Sequence, residues 1–549
     1  MLFKRNSVIF SYTPIFLIIF ATLFCLLPFV GKAFNIDEPL FIWAARHIQS
    51  TPLDFYGFRI NWYGTESSAA EIIKNPPLTS YFIALAAAVG GWSEVSLHLA
   101  FLLPALGTVI GTYFLARELS SNPFIATLTG LLTPVFILSS ATVMCDTMML
   151  AFYVWAVFLW VKGMKNGSNE KLLLSSLLIA LSCLTKYFGM SLIPLLFLYT
   201  ISLKQGRKYK ALFLLVPIAI LCGYQWWTGM LYGRGLLLDA AAYASTEKGR
   251  GGHGMLWNLV VGLSFTGGCL IPTLFFAPRL WSKRAVITAM AVVPLAAFVL
   301  SRLSFPETLA STSWGYYLQL SLFIIAGIHL LALAVFDLWK ERDSESLLLF
   351  LWLSGTFIFA CFVNWSINGR SVLPMVPVAG VLIARGLNRR GGCLNECQQL
   401  RSLPVTVPLT LACLISMLVE WSDYTLAGSA RHAADLISQN SPSGAIPLVF
   451  QGHWGFQYYM EKLGASALDG RKQYSSSFIM VMPENNINLG QEIMTKGTPL
   501  QVLTLSPSGV VSDMNLEMGA GFYSSNFGTL PFVFGKVPSE RYFVALMKR

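Results

Sequence analysis

From its start to about residue 421 the chain alternates long apolar runs with short polar breaks, and beyond that point the composition becomes mixed. Lys4 and Arg5 precede an apolar run from Val8 to Val30. That run is long enough to span, since roughly 20 residues cross a bilayer. A cleaved signal peptide has a shorter apolar region and a small-residue cleavage site, so the run reads as a retained first helix. Further runs lie near 96–116, 123–140, 145–162, 171–187, 188–203, 210–230, 255–277, 285–302, 316–338, 346–363, 370–386 and 404–421. The pattern predicts about thirteen transmembrane helices. Leu78 to Val89 is apolar for only about a dozen residues before Gly90-Gly91, a length that suits an interfacial helix better than a span.

The cations fix the register. Arg117, Lys162/Lys165/Lys171, Lys204/Arg207/Lys208/Lys210, Arg279/Lys283/Arg284, Lys340/Arg342 and Arg385/Arg389/Arg390/Arg401 all fall on one side of this arrangement, as the positive-inside rule requires. Counting 78–89 as a span would put them on the other side. An odd number of spans leaves residues 422–549 outside, together with the 31–77 loop. Within 422–549, Ala430 to Gln439 and Phe456 to Leu463 read as helices. Ile446 to Gln451, Phe478 to Met482, Leu500 to Leu505 and Tyr542 to Met547 read as short strands. The expected architecture is an α-helical polytopic membrane domain, 1–421, followed by a small α/β extramembrane domain, 422–549.

Composition agrees: 55% of residues are hydrophobic and 12% charged, values of a membrane protein. A formal charge of +11 would suggest a nucleic-acid partner in a soluble chain, but here topological sorting accounts for it and no nucleic acid is expected. Most of the nine cysteines sit inside apolar runs. Cys393 and Cys397 form a lone C-x3-C, which does not make a zinc site.

The long polar loop opens Asn35-Ile36-Asp37-Glu38-Pro39 and closes Lys74-Asn75-Pro76-Pro77-Leu78. Apolar residues at Leu40, Trp43, Ala44 and Ile48 predict a helix lying along the surface. Asp37 either caps that helix or serves as a base. Neighbouring helical residues do not face each other, so Asp37 and Glu38 are not a facing pair of hydrolase carboxylates; as catalytic residues, one serves as a base while the other orients a neighbour. Asp146 opens the fourth span and reads either as a cap or as a second site carboxylate. Lys186 and Arg370 lie at outer helix ends and either snorkel to the interface or, with Lys74, bind a phosphate. Glu38 and Asp146 would be the oxygen ligands of a divalent cation if one is used. The His453-Trp454 pair suits a strand-to-helix turn better than an acceptor site. The 231–254 stretch, with its glycines and Arg234, Lys248 and Arg250, reads as a mobile loop over the donor.

Asp37-Glu38 after the first helix, Lys74-Asn75-Pro76-Pro77-Leu78, Asp146 opening a helix, Leu184-Thr185-Lys186, and Arg370-Ser371-Val372-Leu373-Pro374-Met375-Val376-Pro377 resemble GT-C glycosyltransferases, in particular the protein O-mannosyltransferase and lipid A aminoarabinose transferase group. The resemblance spans residues 8–390 and fades beyond 420. Asn75 separates Lys74 from the Pro-Pro pair where Lys-Pro-Pro is common, and Ser371 follows Arg370 where an aromatic is usual. The resemblance implies inverting transfer of a hexosyl or pentosyl group from a polyprenyl-phosphate sugar, with the first carboxylate as base. The acceptor would be a lipid, glycan or protein, and the setting a bacterial inner membrane with the site and C-terminal domain periplasmic. The competing readings are a lipid-linked oligosaccharide polymerase or ligase, and a transporter or flippase. Transporters place ionisable groups near the bilayer midplane, whereas the residues singled out here lie at outer helix ends.

Overall fold

The computed structural model describes residues 2–204, 206–250, 254–303, 313–391, 402–440, 446–474, 476–486, 497–507 and 509–548; Cys393, Cys397 and Arg401 lie outside them. Among the described residues, eight helices are long and apolar enough to cross a membrane, or ten if each of two bent pairs is one span. The expected count of thirteen is not reached. Helices do occupy the remaining positions, but Thr13–Phe29 and Tyr187–Ser202 are shorter apolar helices. Asn169–Thr185 has 17 residues and opens on polar side chains. The runs read as 123–140 and 255–277 are broken, into Pro123–Leu131 with Pro134–Ser140 (67°) and Met255–Cys269 with Pro272–Leu280 (84°). Pro134 and Pro272 open the second halves, where a missing N–H costs no helical bond.

The two ends of the bundle differ chemically. Glu94–Leu119 is 26 residues, or about 39 Å, long. At its start Tyr459 Oη donates to Glu94 Oε1 (2.9 Å), and at its far end Arg385 Nε donates to the Leu119 carbonyl (2.6 Å). Around that far end Lys162 meets Glu118 (3.1 Å), Lys165 meets Glu345 (2.5 Å), and Arg385 and Arg389 both meet Asp337 (2.7 Å each). Arg207 and Lys210 donate to the carbonyls of Met164 and Gly167. The cation clusters of separate loops thus converge at one end.

The opposite end carries the polar loop and the C-terminal domain. Leu78–Gly90 has 13 residues, about 20 Å, too short to span. It packs on the Glu38–Ser50 helix, where Gln49 donates to the Ala84 carbonyl (2.9 Å). Leu403–Asn440 is one helix of 38 residues, although the sequence reading ends a span at 421 and restarts a helix at 430. The polar residues there, Glu420 and Asp423, mark no exit from the helix: both are buried against Lys32.

Beyond residue 446 the four expected strands form one sheet together with Ser466–Ala467. Its order is Ser466–Ala467, Leu448–Phe450, Phe478–Pro483, Glu540–Met547, Thr498–Leu505, with the first three strands parallel and the others antiparallel. The Trp454–Lys462 helix docks directly on the start of the polar loop. Phe34 N donates to Tyr459 Oη (2.8 Å), and a Cβ on Gly455 would fall 2.0 Å from the Phe34 carbonyl oxygen. The 231–254 stretch differs from its expectation: Leu236–Arg250 is a helix. Its glycines act at the boundary instead, with Gly233 at φ 69° ending the preceding helix.

Candidate active site

The turn before the Glu38–Ser50 helix is strained. Ile36 adopts φ 48°, a left-handed conformation that a β-branched residue rarely holds. Glu38 fixes this turn from within. Its Oε2 accepts the Asn35 N–H and its Oε1 accepts the Val143 N–H, each at 2.7 Å, and the side chain is 1% exposed. Burial pushes the carboxyl up to about 7, against the pull of Lys32 and of those two N–H donors. Both oxygens are committed to backbone, so Glu38 holds the loop against the turn preceding the Cys145–Asn166 helix. It is not open to substrate.

Asp37 does something different one residue earlier. It stands at the N-cap position of the Glu38–Ser50 helix, yet its side chain makes no capping bond. Its Oδ2 instead accepts from Arg370 Nη1 at 2.9 Å, and the side chain is 29% exposed. The cap explanation therefore fails for its carboxylate.

Arg370 reaches this carboxylate from the Gly369–Val372 turn, which Asn368 caps by accepting from Ser371 N (2.9 Å). The same Nη1 lies 3.4 Å from Met144 Sδ, and the guanidinium stacks over the Tyr523 ring, 5.5 Å from its centroid. Beside it Asp146 Oδ1 accepts from Lys186 Nζ at 2.5 Å. Asp146 lies in the first turn after the N-cap Met144, is 1% exposed, and its Oδ2 has no partner among the described residues. The Cys145 thiol feels the charges of Asp146, Lys186, Arg370 and Asp37 together. Four of the six residues singled out in the sequence thus share one neighbourhood.

Lys74 sits apart from that group. Its Nζ bonds Asp239 (2.5 Å) and lies 5.2 Å from the Tyr243 ring centroid. Asp239 also meets Arg234 (3.4 Å), which pairs with Glu71. The Leu236–Arg250 helix therefore brings a carboxylate to Lys74, not only cations. The two clusters border one another through Tyr63, which bonds Tyr243 and lies within electrostatic reach of Asp37. Asn75, the residue that departs from the common pattern, presents its carbonyl to Tyr56 Oη (2.7 Å).

Among the described residues no group of three or more His, Cys, Asp or Glu is arranged to hold a metal ion. Glu38 has no free oxygen and Asp146 is paired with an ammonium, so the pair suggested as oxygen ligands does not form such a site. His453 stands at the N-cap of the Trp454–Lys462 helix, the strand-to-helix turn expected. An open cleft of about 610 Å³, lined by residues that include Trp43, Arg46, Arg59, Glu461 and Lys472, lies toward the other end of the Glu38–Ser50 helix.

Several residues of the site were not singled out from the sequence. Lys32 Nζ bonds Glu420 (3.0 Å) and Asp423, all three 1% exposed or less. Tyr523 Oη donates to Asp423 Oδ2 (2.7 Å). One signal was available: Glu420 and Asp423 are the carboxylates that end the last apolar run, and Lys32 is the cation that follows the first.

Residues 74–227 match the family described as dolichyl-phosphate-mannose-protein mannosyltransferase. Over 84% of its length the chain is similar to the crystal structure of the Archaeoglobus fulgidus oligosaccharyltransferase in the apo form, at TM-score 0.48 and 15% identity; it spans 64% of that longer chain. Over 87% it is similar to ArnT from Cupriavidus metallidurans bound to undecaprenyl phosphate, covering 93% of that chain at TM-score 0.43 and 14% identity. Over 97% it is similar to arabinofuranosyltransferase AftD from Mycobacteria, covering 41% of that chain at TM-score 0.39 and 11% identity. No curated protein matches the chain. The family match takes in Lys74, Asp146 and Lys186, and the chain is a polytopic membrane protein that resembles the GT-C glycosyltransferases of the protein mannosyltransferase type.

Proposed function

We propose that the chain transfers a sugar from a polyprenyl-phosphate donor to a hydroxyl of a lipid, glycan or protein acceptor, at the membrane face that carries the polar loop. Asp37 takes the proton of the acceptor hydroxyl as its oxygen bonds the anomeric carbon. Attack comes from the side opposite the phosphate, so configuration inverts. The bond from the anomeric carbon to the phosphate oxygen breaks, and its electron pair leaves with the polyprenyl phosphate. That anion is a stable leaving group and needs cations more than an acid; Lys186 and Arg370 supply them. In a bacterial inner membrane this face would be periplasmic.

The observation that carries the reading is the division of labour between adjacent carboxylates. Glu38 is buried and spent on two backbone N–H groups, while Asp37 is partly exposed and held by Arg370 beside the Asp146–Lys186 pair. The gathering of these charges at one end of the bundle also favours transfer over transport.

The test supplies purified protein with synthetic undecaprenyl-phosphate sugars carrying mannose, glucose, arabinose or 4-amino-arabinose, and an envelope extract as acceptor. Release of undecaprenyl phosphate with incorporation of label into the extract is the expected result. No release from any donor would overturn the proposal.

A further inference from the structure

We propose that Tyr523, from the C-terminal domain, is a positioning residue that holds Arg370 on Asp37, so that this domain completes the active site. The inference rests on the reading of Asp37 as base.

The contacts form a closed circuit. Asp37 bonds Arg370, whose guanidinium lies over the Tyr523 ring. The Tyr523 hydroxyl donates to Asp423 Oδ2, and Asp423 pairs with Lys32. Lys32 and Asp37 are five positions apart on one segment, which passes through the strained residue Ile36.

The backbone around Tyr523 is joined to the backbone around Arg370 on both sides. Gly369 N donates to the Phe522 carbonyl (2.7 Å), and Ser525 N donates to the Ile367 carbonyl (2.8 Å). Ile367 N in turn donates to Ser525 Oγ (3.3 Å). The approach at Gly369 leaves no room for a side chain: a Cβ there would fall 2.4 Å from the Phe522 ring. The 522–525 segment is itself anchored, because Phe522 N donates to the Asp513 carbonyl (2.7 Å) and Ser422 Oγ donates to Asp513 Oδ1 (2.8 Å).

Arg370 needs such a support. Its Nε is buried without a hydrogen-bond partner among the described residues, and Met144 Sδ is a weak acceptor. Apart from the Asp37 carboxylate, the aromatic face is the contact that holds the guanidinium plane, an interaction that strengthens as the pair is desolvated. Removing the ring frees the guanidinium to leave the carboxylate without touching Asp37, Lys186 or Asp146.

The test uses the full-length protein in detergent and two readouts. The first needs no donor: labelling of arginines by phenylglyoxal, followed by mass spectrometry. Tyr523→Leu should raise Arg370 labelling by roughly fivefold or more, while Tyr523→Phe, which keeps the ring, leaves it near wild type. Arg431, at the same junction and 3.5 Å from Glu94, is the control for general loosening. No rise at Arg370, or an equal rise at Arg431, would overturn the proposal.

The second readout is release of undecaprenyl phosphate from the donor that is turned over, alongside binding of undecaprenyl phosphate alone. Tyr523→Leu should lower kcat roughly tenfold and weaken undecaprenyl-phosphate binding as well, because the Arg370 cation is lost to both the carboxylate and the phosphate. The same substitution should add no further loss in an Arg370→Gln background. Additive losses would overturn it. Full turnover in Asp37→Asn would remove the base reading while leaving the arginine labelling result standing, so the two failures are told apart.

Discussion

Replacing Lys32 with methionine removes one cation from a fully buried charge cluster. Lys32 Nζ lies 3.0 Å from Glu420 Oε1 and also bonds Asp423, with side chains 1% and 0% exposed. Burial alone would lower the ammonium's hold on its proton, but Asp423, Glu420 and Glu38 outweigh it and raise the pKa above the ordinary lysine range. At an effective dielectric near 20, a unit pair at 3.0 Å attracts by roughly 5–6 kcal/mol before desolvation is subtracted. Deleting one partner of a buried pair costs about 3–5 kcal/mol, because the other charge stays behind. With two carboxylates left behind, Lys32→Met should fall at the upper part of that range. A thermal midpoint moves by about 2 °C per kcal/mol in a large domain, so the expected loss is roughly 8–10 °C. The assay is a thermal scan of the purified protein at fixed rate, followed by intrinsic fluorescence. Lys32→Met combined with Glu420→Gln and Asp423→Asn should recover most of the loss, since no uncompensated charge remains. A midpoint within about 2 °C of wild type for Lys32→Met, or a triple variant no better than the single one, would refute the argument.

Three further outcomes follow from the same geometry. Glu38 titrates near 7 when folded and near 4.5 when unfolded, so between those values the folded state binds more protons and stability falls as pH rises; Glu38→Gln should flatten that decline, and an unchanged pH dependence of the thermal midpoint would count against the assignment. Lys186→Met should weaken binding of undecaprenyl phosphate by roughly tenfold to a hundredfold, the worth of a charge-assisted hydrogen bond, and native mass spectrometry showing undiminished binding would exclude its role with phosphate. Ile60→Cys and Lys208→Cys should react with a membrane-impermeant maleimide from opposite sides of the membrane, and reaction from the same side would reject the topology.

The helical framework was legible because apolar length and cation sorting are local, additive signals. Ten of the spans read from the sequence correspond to long or bent apolar helices. What length cannot reveal is a break, and the bends at Pro134 and Pro272 depend on how each second half packs. The site was half legible. Asp37, Asp146, Lys186 and Arg370 stood out as charges at helix ends, but their pairing is set by tertiary contacts between positions up to 333 apart. Lys74 resembles a member of the same group by its place in the polar loop and is instead bonded to Asp239, a carboxylate in a stretch whose glycines suggest a loop. Glu38 was read as a site residue because it follows Asp37. Its burial against the Val143 N–H is invisible until the Pro134–Ser140 and Cys145–Asn166 helices are in place. Tyr523 had no local signal at all, being one aromatic among many in a domain where the resemblance fades.

The central claim is that Asp37 acts as a base and does not cap its helix. Asn caps a helix as well as Asp does, so on the cap explanation Asp37→Asn is silent. As a base, the carboxylate cannot be replaced by an amide of the same shape. Loss of positioned base catalysis is typically worth about 10²–10⁴-fold. The measurement is the turnover of undecaprenyl-phosphate sugar by purified Asp37→Asn protein, beside its binding of undecaprenyl phosphate. A fall in kcat of that size with binding retained is the predicted result, and full turnover would contradict the mechanism.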